Sequence, residues 1–188
     1  FTMLAAYFFV DMMAPLQSLL ESKRGWQPDT YGFFSGSEYM LNVFGFLIIS
    51  GIILDKMGVR FTGKMATIIM VAGTALKYWA ISTDSLDSSV LLGMKAQVVL
   101  AALGFAIFGV GVEVAGITVS KIIVKWFKGK ELALAMGLEM ATARMGTALA
   151  LSTSVFVAEA FGDVSAPILV CLIMLCIGMI AFFIYSAK

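Results

Sequence analysis

Six apolar runs, most of them about 20 residues or longer, take up most of this 188-residue chain and are parted only by short polar connectors. That pattern fixes the solvent before anything else. A helix rises about 1.5 Å per residue, so about 20 apolar residues cross a hydrocarbon layer about 30 Å thick. The runs cover residues 1–20, 30–55, 64–82, 95–125, 132–158 and 166–185. Each connector holds its own breaker or charge: Gly25 with Pro28, Gly58, residues 84–89, Gly129, and Gly162 with Asp163. No space remains for a soluble domain. Charge agrees: 13 Lys+Arg and 12 Asp+Glu beside 61% hydrophobic residues is about half the charge of a water-soluble domain. Two cysteines, a net charge of +1 and no basic tract exclude a disulfide scaffold and a nucleic-acid binder. Histidine is absent, which removes the commonest general base and metal ligand, so no metal, no cofactor and no enzymatic chemistry are expected. The expected fold is an all-α membrane protein of six transmembrane helices.

Orientation follows from the basic residues of the short loops. The connector after the second run holds Lys56, Arg60 and Lys64, the one after the fourth holds Lys125, Lys128 and Lys130, and the chain ends on Lys188. The connectors between them offer Asp84 and Asp87, then Glu159 and Asp163, while the first is mixed, with Lys23 and Arg24 against Glu21 and Asp29. Both termini are therefore expected in the cytoplasm. The first run lacks a basic leader and reads as a span rather than a signal peptide. A chain that opens inside a span and closes six spans later reads as one half of a larger transporter, since such proteins are commonly built from repeats of this size.

An ionisable group near the bilayer centre costs about 3 kcal/mol or more, so it faces a partner or a watery cavity. Lys77, beside Tyr78 and Trp79, is expected to snorkel at the interface as an anchor. The deep charges are Asp11, Glu38, Glu113, Glu139 and Arg144, which makes spans 1, 2, 4 and 5 cavity-lining and leaves spans 3 and 6 facing lipid. Helical neighbours extend these faces: Tyr7, Asp11, Ala14 and Ser18; Ser35, Glu38, Asn42 and Gly45; Ala106, Gly109, Glu113, Gly116 and Ser120. Gly104 and Gly111 read instead as close packing. Spans 4 and 5 are expected to form an antiparallel hairpin. Glu113 lies 13 residues before Trp126 and Arg144 lies 13 residues after Glu131, so both sit about 20 Å from the turn, at one depth. They either pair with each other or hold opposite ends of a zwitterion, the guanidinium taking a carboxylate and the acid an ammonium. Asp11 and Glu38 are 27 residues apart and Glu113 and Glu139 are 26 apart. That echo fits two inverted three-helix repeats, 1–82 and 83–188.

The end of span 2 reads Gly51-Ile-Ile-Leu-Asp55-Lys56-Met-Gly58-Val-Arg60. An acid at a helix C-terminus opposes its own dipole and needs a basic partner or another helix's N-terminus. The spacing resembles the signature loop between helices 2 and 3 of the major facilitator superfamily, whose aspartate latches two six-helix halves at the cytoplasmic gate. Residues Trp126 to Leu132, Gly137-Leu138 and Ala143 to Gly146 resemble the lysosomal dipeptide-transporter branch of that superfamily and its bacterial relatives. Gly109 to Ala115 is similar to that branch's Gly-Gly-Glu segment, and Asp11, Ala14, Leu16 and Gln17 to its helix-1 pattern, with proline displaced to Pro15. Glu38 and Glu139 have no counterpart in it.

The resemblance implies an N-terminal half of a twelve-helix fold, partnered by a C-terminal six-helix half. It implies alternating access to short peptides, with Glu113 meeting the amino group and Arg144 the carboxylate. Tyr7, Asp11, Glu38 and Asn42 complete the expected binding set. Asp11, Glu38 and Glu139 are candidates for proton handling, and Gly51, Asp55, Lys56, Gly58 and Arg60 for the gate. Two alternatives stay open: transport of small organic anions with Arg144 alone as ligand, and a six-helix membrane module without transport of its own. Asn42, the only asparagine, lies in a span, so the chain has no glycosylation sequon; this fits a bacterial inner membrane.

Overall fold

The computed structural model describes residues 1–86, 88–129 and 131–187; Asp87, Lys130 and Lys188, counted above among the loop charges, lie outside the described residues. The first apolar run folds as two helices, α1 (Thr2–Asp11) and α2 (Gln17–Arg24). Pro15 stands between them, lacking the N–H a continuous helix needs and disfavouring helical backbone at Ala14. Gly25 ends α2 in the left-handed conformation (φ 61°, ψ 35°). Pro28 opens α3 (Pro28–Leu41), and the Gln27 N–H donates to Thr30 Oγ1 at 2.9 Å across its first turn. A widened π-type turn, Asn42–Phe46, carries α3 into α4 (Leu47–Ser82). Then follow a small hairpin of β1 (Val90–Leu91) and β2 (Met94–Lys95), α5 (Ala96–Phe127), α6 (Leu132–Phe161) and α7 (Ala166–Ala187). The protein is all-α apart from that two-residue ribbon.

The expected connector between residues 55 and 64 shrinks to one residue. Gly58 alone leaves helical geometry inside α4 (φ 77°, ψ 172°), a region essentially closed to a residue with a Cβ. Arg60 and Lys64 therefore lie on helix rather than in a loop. Three helical stretches are long and apolar enough to cross a membrane by length and composition: Pro28–Ser82, Ala96–Phe127 and Ala166–Ala187. α6 is 30 residues long but carries Glu139, Arg144 and Glu159.

Packing follows small residues. α1 lies on α6 and α7, α3 on α5, and α4 on both α5 and α7. At the α4–α5 seam a Cβ on Gly73 would stand 2.6 Å from the Gly104 carbonyl oxygen, and one on Gly104 2.7 Å from the Lys77 nitrogen. Gly111 meets Met70 and Ala66 there, so both glycines expected to serve packing do so. Gly109 closes α5 onto the Glu38 backbone of α3, and Gly146 closes α6 onto Leu4 and Phe8 of α1. By contrast α5 and α6 touch little. The two helices of the expected antiparallel hairpin, spans 4 and 5, are splayed, because α6 finds its glycine-mediated partner in α1.

The middle of the bundle is aromatic: Phe34 and Phe105 stack (5.2 Å between centroids, 17° between planes), and Phe9 meets Phe108 at 4.2 Å. Buried Trp26 donates to Gln97 Oε1 at 2.9 Å. One end of the bundle gathers three connectors. Arg24 pairs with Asp84 and lies 3.8 Å from Asp163, and Lys23 donates to the Gly162 carbonyl at 3.1 Å. Along α7, Ile173, Ile177, Ile180 and Ile184 point outward, as expected of a lipid-facing helix.

Candidate functional site

The charges read from the sequence fall into four places. Asp11 at the end of α1 and Glu38 on α3 line one recess of about 160 Å³, together with Ala14, Tyr31, Ser35 and Tyr39. Thr147 on α6 donates to Asp11 Oδ2 at 2.6 Å, which fixes that carboxylate across the α1–α6 seam. Glu38 is 5% exposed, and Asp11, Glu113 and Lys77 all act on it electrostatically. Three acids therefore share one field.

Arg144 projects from α6 and is exposed, with its guanidinium 5.9 Å from the Tyr7 ring. Glu113 is half-buried on α5. Glu113 stands 14 residues before Phe127 and Arg144 12 residues after Leu132, each about 20 Å along its own helix from the α5–α6 turn. They are not joined: among the described residues no ion pair links Arg144 or Glu113 to an opposite charge. α6 leans on α1 rather than on α5, so the two groups project from helices that touch little.

The small-residue stripe around Glu113 divides. Ala106 and Gly109 are consumed by packing, the latter against Glu38, whereas Gly116 meets nothing within 4 Å and Ser120 is half-exposed. Only the half of the stripe from Glu113 onward borders open space. Asn42 sits at the start of the π-type turn, donates Nδ2 to the Gly109 carbonyl at 3.2 Å, and has its Oδ1 buried without a donor. Glu139 interacts with Ser120 across the α5–α6 gap and lies apart from the Asp11–Glu38 recess.

At the opposite end of the bundle from Arg24, Asp55 is 2.6 Å from Lys121 of α5, which also reaches the Leu54 carbonyl at 3.4 Å. This is the basic partner an acid at a helix C-terminus requires. Lys121 escaped the sequence reading, although its place near the basic end of span 4 could have singled it out. Lys56 and Arg60 are exposed, Gly58 makes the turn, and a Cβ at Gly51 would meet nothing within 4 Å. Packing within this bundle does not account for Gly51.

Lys77 overturns an expectation. It is 0% exposed rather than snorkelling, with Nζ 4.1 Å from the Phe9 centroid, 4.1 Å from Phe105 and 4.9 Å from Phe34. The reason is the α4–α5 seam: with Gly104 against the Lys77 backbone, the side chain can only run inward. Span 3 thus exposes Phe61, Ile68 and Trp79 on one face, while its other face is core. Cys171 is buried and Cys176 half-buried, both free.

The family described as Major Facilitator Superfamily matches residues 1–188. Among curated proteins, the lysosomal dipeptide transporter MFSD1 of Pongo abelii is 29% identical over 149 residues, 76% of this chain and 28% of that protein. The Bos taurus protein of the same name matches to the same extent. The chain thus spans 28% of the length of these relatives. No solved structure matches the chain.

Proposed function

The chain belongs to the major facilitator superfamily, a family of membrane transporters, and on that premise we propose that it is the N-terminal half of a twelve-helix transporter that moves small zwitterionic solutes such as dipeptides by alternating access. In this reading six helices cross the membrane: α1 with α2, α3 with α4 up to Gly58, residues 59–82, α5, α6 and α7. Both termini are cytoplasmic. The Asp55–Lys121 end is the cytoplasmic gate and the Arg24 end lies outside. Gathering of the first, third and fifth connectors at one end supports this alternation.

Helix packing supports the repeats 1–82 and 83–188. Exchanging spans 1, 2, 3 with 4, 5, 6 turns the α1–α6 seam into the α3–α5 seam. It also turns the contact of residues 59–82 with α5 into that of α7 with α1. Each of these two seams is closed by a glycine, Gly109 of span 4 in one and Gly146 of span 5 in the other.

The observation that carries the functional reading is that Glu113 and Arg144, each about 20 Å along its helix from the α5–α6 turn, have no ion-pair partner among the described residues. Desolvating two such groups is costly unless something of opposite charge meets each. A dipeptide offers an ammonium to Glu113 and a carboxylate to the Arg144 fork. Tyr7, Asp11, Glu38 and Asn42 line the approach, and Asp11, Glu38 and Glu139 are where a coupled proton would reside. The free face of Gly51 fits close contact with the C-terminal half. The dipeptide in the relatives' name points to the same solute class.

Uptake by the full-length protein in liposomes tests this. Glu113→Gln is expected to abolish net dipeptide uptake and Arg144→Lys to weaken it strongly. Arg144 alone is also a complete anion ligand, with Tyr7 packed on its guanidinium. Normal uptake in Glu113→Gln beside a dead Arg144→Lys would replace the zwitterion with a small organic anion.

A further inference from the structure

Lys77 is the one fully buried cation among the described residues, and its Nζ has no hydrogen-bond partner. Three rings from three helices surround it: Phe9 of α1, Phe34 of α3 and Phe105 of α5. Ring faces replace part of an ammonium's hydration, but they carry no countercharge. Two titratable groups act on it, Cys171 on α7 and Glu38 on α3. The Cys171 thiol donates to the Ala5 carbonyl at 3.4 Å, leaving Glu38 as the acid that acts on Lys77. Phe34 and Phe105 also wall the Asp11–Glu38 recess. The box and the recess therefore share two rings, with the ammonium on one side and the carboxylates on the other.

This arrangement answers a problem in the recess. Glu38 lies in the field of Asp11 and Glu113 as well as of Lys77, and like charges held together disfavour one another's charged forms. A cation behind the wall offsets that repulsion without occupying the space a solute would need. We propose that Lys77 is a positioning residue, the internal countercharge that holds the Glu38 carboxyl group toward the recess, on the path by which a solute ammonium reaches Glu113. The ammonium touches no solute; it works through Glu38. The role rests on the reading of this chain as a transporter of amino-bearing solutes, whereas the pairing of Lys77 with Glu38 does not.

Two measurements on the full-length protein separate these parts. Lys77→Met keeps length and packs well against rings. In liposomes it should raise KM for a dipeptide with a free amino group by about fivefold or more, the lower range of couplings between sites. The turnover should stay within about twofold, and the inhibition constant of the N-acetylated dipeptide should not move. In a Glu38→Gln background, Lys77→Met should add no further rise. An equal loss for both peptides, or additive effects of the two substitutions, would overturn the positioning role. The second measurement is thermal unfolding in detergent, which needs no transport. Glu38→Gln alone should lower Tm by leaving Lys77 uncompensated, and Lys77→Met with Glu38→Gln should recover more than half of that loss. A double variant no more stable than Glu38→Gln refutes the pairing itself, even where Lys77→Met alone fails to fold.

Discussion

Replacing Gly109 with alanine probes the α3–α5 seam that sets the Glu38 side of the recess. The new methyl group would stand 2.8 Å from the Glu38 carbonyl carbon and 3.2 Å from its Cα, with the carbonyl oxygen nearer still. Carbon atoms rest at about 3.5–4.0 Å, so the helices must part by about 1 Å. All three obstacles are backbone, and none can swing aside. Overpacking of this kind costs about 1–3 kcal/mol. Parting the helices also weakens the bond from Asn42 Nδ2 to the Gly109 carbonyl, 3.2 Å long, worth about 1 kcal/mol. Alanine returns about 1 kcal/mol of helix propensity. The net loss is about 1–3 kcal/mol, or about 2–12 °C in Tm for a chain of this size. Gly116→Ala is the control, one and a half to two turns along the same helix, where a Cβ meets nothing within 4 Å. It should hold or raise Tm. Scanning fluorimetry of the purified full-length variants reads both, and equal Tm values for Gly109→Ala and Gly116→Ala would refute the seam.

The Asp55–Lys121 pair is largely exposed, 78% and 42%, and such pairs contribute at most about 1 kcal/mol. Lys121→Ala should therefore leave Tm almost unchanged while lowering the maximal uptake rate, the signature of a gate element; a large Tm loss with normal uptake would make it structural. Asp163 gives a pH prediction. Burial pushes its carboxyl up, but hydrogen bonds from the Ser165 hydroxyl (2.6 Å) and N–H (3.0 Å), with the Arg24 and Lys23 charges, more than offset this and hold it below the usual carboxylate range. A depressed folded value means that its stabilisation is complete above the unfolded value of about 4 and fades as pH falls through the folded one. Thermal stability of the parent should therefore drop more steeply on acidification below about pH 4 than that of Asp163→Asn; parallel slopes would contradict it.

Much of the architecture was legible because a bilayer-spanning helix needs length and apolarity, both of which are local properties. The helix positions of spans 4 to 6, the packing roles of Gly104 and Gly111, and a breaker at Gly58 all follow from short stretches of sequence. What escaped depends on residues distant in the chain. Lys77 looked like an anchor beside Tyr78 and Trp79, and only the meeting of Phe9, Phe34 and Phe105 makes it a core residue. The short connector between spans 4 and 5 gave an antiparallel hairpin but not its packing: α6 prefers α1, where Gly146 allows backbone contact. The stripe from Ala106 to Ser120 was uniform in composition but divides where α3 crosses it at Gly109. Of the expected site, the sequence brought Asp11 and Glu38 to notice, but Thr147, which holds Asp11, carries no mark of its own outside the fold, and Lys121, which holds Asp55, has only its place near the basic end of span 4.

The account requires that Arg144 face water deep in the membrane. In the full-length protein with other reactive cysteines removed, Arg144→Cys and Ile173→Cys can be exposed to a membrane-impermeant maleimide; the two positions are similarly uncovered in this bundle, one on the splayed α6 face and one on the outward face of α7. Labelling at Arg144→Cys with none at Ile173→Cys is the predicted result. Silence at both positions would place Arg144 against lipid or sealed protein and contradict a solute path.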